Sequence, residues 1–197
     1  VTGDGRPRHT TSLANNKFQN ILLINNTNKG YQYSLTGSLQ KQWKQGLIAS
    51  IAYNYGQSRD VNSGTNTTAL SGWEFNPTPG YSNDQFLSYS VWDLRHRVVG
   101  NVSYRKEWLG FMATTISVFY NGQSGEPFSY MVNGDLNGDG AFGNDLVYIP
   151  KQKNEILLVP SSASDTRTPD QIWNQLNEFI MNDEYLSTHR GQYAARN

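Results

Sequence analysis

Apolar and polar side chains alternate with a period of two along four stretches of this chain. In Tyr31–Gln40, residues Tyr31, Tyr33, Leu35, Gly37 and Leu39 fall on one side and Gln32, Ser34, Thr36, Ser38 and Gln40 on the other. In Gly46–Gly56, Leu47, Ala49, Ile51, Tyr53 and Tyr55 interleave with Ile48, Ser50, Ala52, Asn54 and Gly56. In Leu94–Arg105, Val98, Gly100, Val102 and Tyr104 oppose Arg95, Arg97, Asn101, Ser103 and Arg105, and in Gly110–Gln123 Met112, Thr114, Ile116, Val118 and Tyr120 share one face. A period of two belongs to a strand with unlike faces. The pattern therefore predicts a mainly β protein with long antiparallel strands over 31–40, 46–56, 94–105 and 110–123, paired as two hairpins. Lys41–Gln45 and Lys106–Leu109 read as short connections, and 57–92 and 124–197 as long loops.

The remaining patterns are local. Val1–Asn16 is polar and loop-like, Ile21-Leu22-Leu23-Ile24 predicts a short strand within Phe18–Asn25, and Asn25–Gly30 reads as a turn. Thr168-Pro169-Asp170-Gln171 joins a threonine cap, proline in the first turn and glutamine at the capping-box position. Ile172, Trp173, Leu176, Phe179 and Ile180 follow at helical spacing, which predicts a packing helix over 169–181.

Composition sharpens this picture. Only 37% of the 197 residues are hydrophobic, yet 13% are aromatic and Tyr numbers 12, so much of the apolar surface ends in a polar tip suited to a wet boundary. Sixteen basic residues balance sixteen acidic ones, which leaves no electrostatic footprint for nucleic acid. The lack of cysteine excludes disulfides, thiolate metal sites and cysteine catalysis. Mean hydropathy is −0.63, and no apolar run reaches the ~20 residues of a membrane helix. Strands of a membrane barrel need only ~10 alternating residues and escape that test.

The connections alternate between short and long, as at the two rims of an outer-membrane barrel. Trp43, Tyr104 and Trp108 cluster at the short turns, and Tyr31, Tyr33, Tyr53, Tyr55 and Tyr120 lie toward the long loops, as two aromatic girdles would. A soluble antiparallel sandwich also alternates, and periodicity alone leaves both architectures open.

Several stretches resemble one family: YSVWDLRHRVVGNVSYR at Tyr89–Arg105, ISVFYNGQSGEPFSY at Ile116–Tyr130, GDLNGDGAFGNDLVYIP at Gly134–Pro150 and HRGQYAARN at His189–Asn197. AYNYGQSRDVNSGT at Ala52–Thr65 is similar in style to the family's strand-to-loop passage. Together they resemble the C-terminal part of the barrel of Oar-like TonB-dependent outer-membrane receptors. The resemblance implies a segment of a barrel of about 22 strands, without plug domain or TonB box, with the family's last strands expected beyond Asn197. It further implies the bacterial outer membrane as location, with long loops extracellular. The implied partners are the bilayer, the remaining barrel and plug, the TonB complex through parts outside this segment, and an unidentified ligand passed by the parent protein.

Candidate chemistry sits in Asp135–Leu146. Asp135, Asn137 and Asp139, with Gly140 for the sharp turn and the Ala141 carbonyl, match the first half of an EF-hand-type calcium loop. Leu146 stands where a bidentate carboxylate is expected and Asp145 one place early, so calcium is expected only if Asp145 closes the loop; otherwise the same side chains serve an Asx- and Gly-rich turn. Arg95, Arg97 and Arg105 are expected on one strand face, toward the barrel lumen. His9, His96 and His189 read as non-catalytic. Ser124 in GQSGE lacks the nucleophile-elbow spacing, and adjacent Asp183 and Glu184 diverge by about 100 degrees on a helix, so no enzyme is expected. The competing expectation is a soluble, calcium-stabilised β-domain that binds a surface glycan or protein. It requires a second sheet or the helix to cover Tyr33, Leu35, Ile51 and Val102.

Overall fold

The computed structural model describes residues 4–9 and 21–196. Its elements run β1 (Tyr31–Gln42), β2 (Leu47–Asp60), α1 (Ala69–Glu74), β3 (Ser88–Tyr89), β4 (His96–Trp108), β5 (Met112–Gln123), β6 (Tyr148–Ile149), a 3-10 turn (Lys153–Glu155), α2 (Pro169–Asn182), α3 (Glu184–Thr188) and β7 (Gln192–Tyr193). The fold is mainly β with antiparallel pairing and few helices. Two compact units emerge: Thr27–Ser63 with Tyr89–Pro127, and the described residues outside those segments.

In the first unit the long strands lie in the order β1-β2-β4-β5, every neighbour antiparallel. Register carries the alternation from strand to strand. Leu39 pairs with Ile51, Ile51 with Gly100 and Gly100 with Tyr120, while Gln40 pairs with Ser50, Ser50 with Asn101 and Asn101 with Phe119. Directly paired residues project to the same side of a sheet. One face thus gathers Tyr31, Tyr33, Leu35, Leu39, Ile51, Tyr53, Val98, Val102, Ile116, Val118 and Tyr120, and the other is mostly Gln, Ser, Thr, Asn and Arg. The apolar face is open: Leu35 is 73% exposed, Leu39 76% and Val118 65%.

The strands outrun their predicted ends. Lys41 and Gln42 still pair with Ala49 and Ile48, so the first turn shrinks to Trp43–Gly46. Lys106, Glu107 and Trp108, expected to interrupt the second hairpin, pair with Thr114, Ala113 and Met112. The chain reverses over Leu109–Phe111, with Leu109 at φ 55 and Gly110 at φ 76. Leu94 and Arg95 precede β4 rather than begin it, and Gly110 and Phe111 precede β5. Charged rim residues look like turn signals in isolation, but backbone pairing is indifferent to them and continues until left-handed residues reverse the chain.

The second unit builds its core from segments remote in sequence. Asp145–Ile149 is the central extended stretch. It exchanges backbone hydrogen bonds with Thr78 (Leu146 N–H to Thr78 O, 2.9 Å), with Tyr130 and Val132 on another side, and with Gln192–Ala194 through β6 and β7. Ile149, Ile180, Leu186 and Ala194 are buried together, with Tyr130, Val147, Leu176 and Tyr185 packed around them. The capping box of α2 forms as predicted: the Thr168 hydroxyl accepts from Gln171 N–H at 3.3 Å and the Gln171 side chain from Thr168 N–H at 2.8 Å. The loop expected over 57–92 carries the short helix α1, and that expected over 124–197 carries β6, α2, α3 and β7. Of the strand expected within Phe18–Asn25, Phe18–Asn20 lie outside the described residues and Ile21–Asn25 are irregular. Of Val1–Asn16, the structure describes Asp4–His9.

Gly46 adopts φ +85 where a Cβ would overlap the Arg105 carbonyl oxygen. Gly110 is also left-handed, at φ +76, but faces open space. Gly110→Ala should therefore lower stability by only the ~1–2 kcal/mol of left-handed backbone, and Gly46→Ala by clearly more, because strand pairing must also shift. Denaturant midpoints followed by tryptophan fluorescence check the order.

Candidate functional site

Each carboxylate of the Asp135–Leu146 loop turns back onto nearby backbone. Asp135 Oδ1 accepts from the N–H groups of Gly138 at 2.6 Å and Asp139 at 3.2 Å, and its Oδ2 from Gly140 at 3.0 Å. Asn137 Oδ1 accepts from Asp139 N–H at 2.9 Å, and Asp139 Oδ1 from Ala141 N–H at 2.8 Å. Asp139 Oδ2 collects the side-chain amides of Asn137 and Asn144 at 3.1 and 2.8 Å and the hydroxyl of Ser82. Short acceptors bonded to N–H groups a few residues onward define Asx turns. Gly138, Gly140 and Gly143, at φ 75, 86 and 76, supply the left-handed backbone between them.

Asp145 is fully buried, with Oδ2 accepting from Leu136 and Asn137 N–H at 2.6 and 3.3 Å. Its Oδ1 pairs with Arg6 at 2.7 Å. The Arg6 side chain, also fully buried, donates to the Leu146 carbonyl at 2.8 Å, pairs with Asp4 at 2.7 Å and lies 5.3 Å from the centre of the Tyr193 ring. A buried charge persists only when paired and hydrogen-bonded. Burial pulls the Arg6 pKa down, but the two carboxylates outweigh it and hold the pKa above its usual value.

Calcium fits this donor set poorly. It takes about six to eight oxygens around one point, whereas the carboxylate and amide oxygens of Asp135, Asn137 and Asp139 already accept hydrogen bonds and Ala141 joins as an N–H donor to Asp139. Asp145, the residue expected to close the loop, is neutralised by Arg6. One buried oxygen of the loop, Asn144 Oδ1, lacks a partner, far short of a cage. Among the described residues, no three carboxylates or imidazoles gather as metal ligands. The five expected residues are brought together in a hydrogen-bonded turn, and Asp145 takes the Arg6 guanidinium as its ionic partner. No motif pointed to Arg6, because its partner lies 139 positions away.

The arginines separate. Arg97 and Arg105 stand on the polar face of β4, where Arg97 Nε donates to Asn121 Oδ1 at 3.0 Å and Arg105 pairs with Glu107 at 3.2 Å. Cross-strand hydrogen bonds line the same face, from Asn54 to Ser34 and Thr36 at 2.6 and 2.7 Å and between Ser103 and Ser117 at 2.8 Å. Arg95, expected beside them, lies before the strand. Its guanidinium pairs with Asp93 at 3.1 Å and sits 4.9 Å from the centre of the Tyr89 ring, which Arg59 also covers at 4.3 Å. The reason is local: Asp93 also accepts from Ser58 N–H at 2.6 Å, so this cluster fastens the end of the 57–92 connection to β2 before β4 starts. His96 lies on the apolar face, with Nδ1 2.8 Å from the Tyr53 hydroxyl. His9 packs edge-on to Trp73 and Tyr81, and His189 stacks on Tyr185.

Burial raises the Asp139 pKa, but hydrogen bonds from Ser82, Ala141, Asn144 and Asn137 outweigh it and hold the group below its ordinary 3.8. The stabilisation is thus fully present above the unfolded-state value and is lost as pH falls through the folded one. Melting between about pH 5 and pH 2 should show stability falling with acid, with a shallower fall in Asp139→Asn. Arg6→Met leaves Asp145 buried without its cation and should cost about 3–5 kcal/mol, measured by denaturant unfolding of the full chain. No family model, no curated protein and no solved structure matches this chain.

Proposed function

We propose that this chain is a segment of a TonB-dependent outer-membrane receptor in which the β1-β2-β4-β5 sheet forms part of the barrel wall. The parent protein passes an unidentified ligand across the bacterial outer membrane with energy delivered through the TonB complex. One observation supports the reading above the others. The register puts a continuous, exposed apolar band on one face, centred on Leu35, Leu39, Ile51, Val102 and Val118, with aromatic rings at both ends and hydrogen-bonded polar side chains on the reverse. Water penalises such a face and hydrocarbon does not. Strands of 12 to 14 residues also exceed the ~10 that a tilted strand needs to cross the core.

The outer edges of β1 and β5 have no strand partner among the described residues. Hydrocarbon cannot satisfy those N–H and C=O groups, so the wall reading requires neighbouring strands from the rest of the barrel. On this reading Arg97 and Arg105 face the lumen. The soluble alternative needs a cover for the apolar band. The stripe of α2 is not available for that purpose, because Leu176 and Ile180 pack on Ile149, Leu186 and Ala194.

The chain contains no cysteine, so single cysteines can be placed freely. Spin labels at successive positions from Val98 to Arg105, with the segment carried in its parent receptor in bilayers, should show oxygen accessibility alternating with period two. Maxima belong at positions 98, 100, 102 and 104. Absence of alternation, or protection of those positions, contradicts the wall reading. By the same geometry Val102→Arg should destabilise the inserted form by about 2–4 kcal/mol near the bilayer centre, and Ser103→Arg should be tolerated.

A further inference from the structure

The apolar band is not flat. Ala49 and Gly100 carry little or no side chain, and between them and the taller Leu39, Ile51, Val118 and Tyr120 runs a furrow of ≈ 660 Å³. Lys41 and Trp43 form its wall on the side of the short turns. The charge around that end is one-sided. Lys41 shares the apolar face with Ala49 and Val102, and Lys106 shares it with Thr114. Each ammonium is steadied over an indole, Lys41 at 5.2 Å from the centre of Trp43 and Lys106 at 4.7 Å from that of Trp108. Lys44 lies in the intervening turn. Glu107, the acid of this rim, stands on the opposite face, paired with Arg105. The other acids of this unit, Asp60, Asp93 and Glu126, belong to the far end of the strands.

Given the wall reading, on which this rests, we propose that the furrow is a binding site for one anionic glycerophospholipid. An acyl chain lies along Ala49 and Gly100, and the phosphate lies at the ammonium group of Lys41 beside Trp43. The commitment to an anionic lipid follows from the chemistry. The furrow offers hydrocarbon contact, which any lipid satisfies, but its rim presents ammonium groups without a carboxylate on that face, and these favour a headgroup of net negative charge. Cation–π contact holds the lysines toward the interface instead of leaving their long side chains to wander.

The test uses the parent receptor with every tryptophan except Trp43 replaced by Phe, so that Trp43 reports. Bilayers contain phosphatidylcholine and phosphatidylglycerol in one fixed ratio, with brominated acyl chains on one lipid or the other. Quenching by brominated phosphatidylglycerol should exceed that by brominated phosphatidylcholine, and the preference should fall about fivefold for Lys41→Gln. Lys29→Gln, near the other end of the strands, should leave it unchanged. Equal quenching by the two lipids, or a preference that survives Lys41→Gln, overturns the proposal while leaving the wall reading intact. No quenching by either lipid overturns the wall reading itself.

Discussion

The pairing of β2 with β4 is the constraint on which the sheet depends. It joins two hairpins separated by a long connection, and it sets Tyr53 against Val98, Ile51 against Gly100 and Ala49 against Val102. A slip of one residue would turn every side chain of one hairpin to the opposite face. Tyr53 would then stand beside Arg97 or Val99, and the apolar band would break into two strips. The anchor of this register lies outside the ladder. Asp93 accepts from Ser58 N–H and pairs with Arg95, Ser90 N–H donates to Ser58 O, and Tyr89 lies against Arg59 and Arg95. These contacts hold the chain entering β4 against the end of β2 and so determine which residue meets which.

The second unit solves a different problem. Its loops carry more polar groups than apolar ones, and its buried residues include Arg6, Asn137, Asn144 and Asp145 beside Ile149 and Leu146. Buried polar atoms cost stability unless each finds a partner, and here all but a few, Asn144 Oδ1 among them, find one within the unit. Asx turns absorb the backbone N–H groups of residues 138–141, Asp145 accepts those of Leu136 and Asn137, and Arg6 neutralises Asp145 while capping the Leu146 carbonyl. This allows a largely irregular segment to hold one shape.

Much of this was legible in advance, for identifiable reasons. The four long strands followed from period-two alternation, which depends only on which face of a pleat each side chain occupies. The α2 start followed from Thr168, Pro169 and Gln171, whose capping chemistry is local. Errors gathered where local signals conflict with pairing. Lys41, Lys106 and Glu107 looked like turn residues yet extend the ladder, and Arg95 looked like a strand residue yet is held by Asp93 and Tyr89. The Asp135 loop showed how one set of side chains serves two chemistries. Asp, Asn and Gly at those spacings suit either a cation or the loop's own N–H groups, and what separates them is whether a positive charge arrives from elsewhere in the chain.

By itself, then, the sequence determined that the strands are long, that each has an apolar and a polar side, and where α2 begins, because these are properties of neighbours along the chain. Tertiary structure decided the strand order β1-β2-β4-β5, the register that merges four apolar stripes into one band, and the furrow over Ala49 and Gly100. It also decided the pairing of Arg6 with Asp145. Each of these rests on contacts between residues tens to more than a hundred positions apart. No periodicity encodes such contacts, since they depend on the closure of intervening chain and on the geometry of what it brings together.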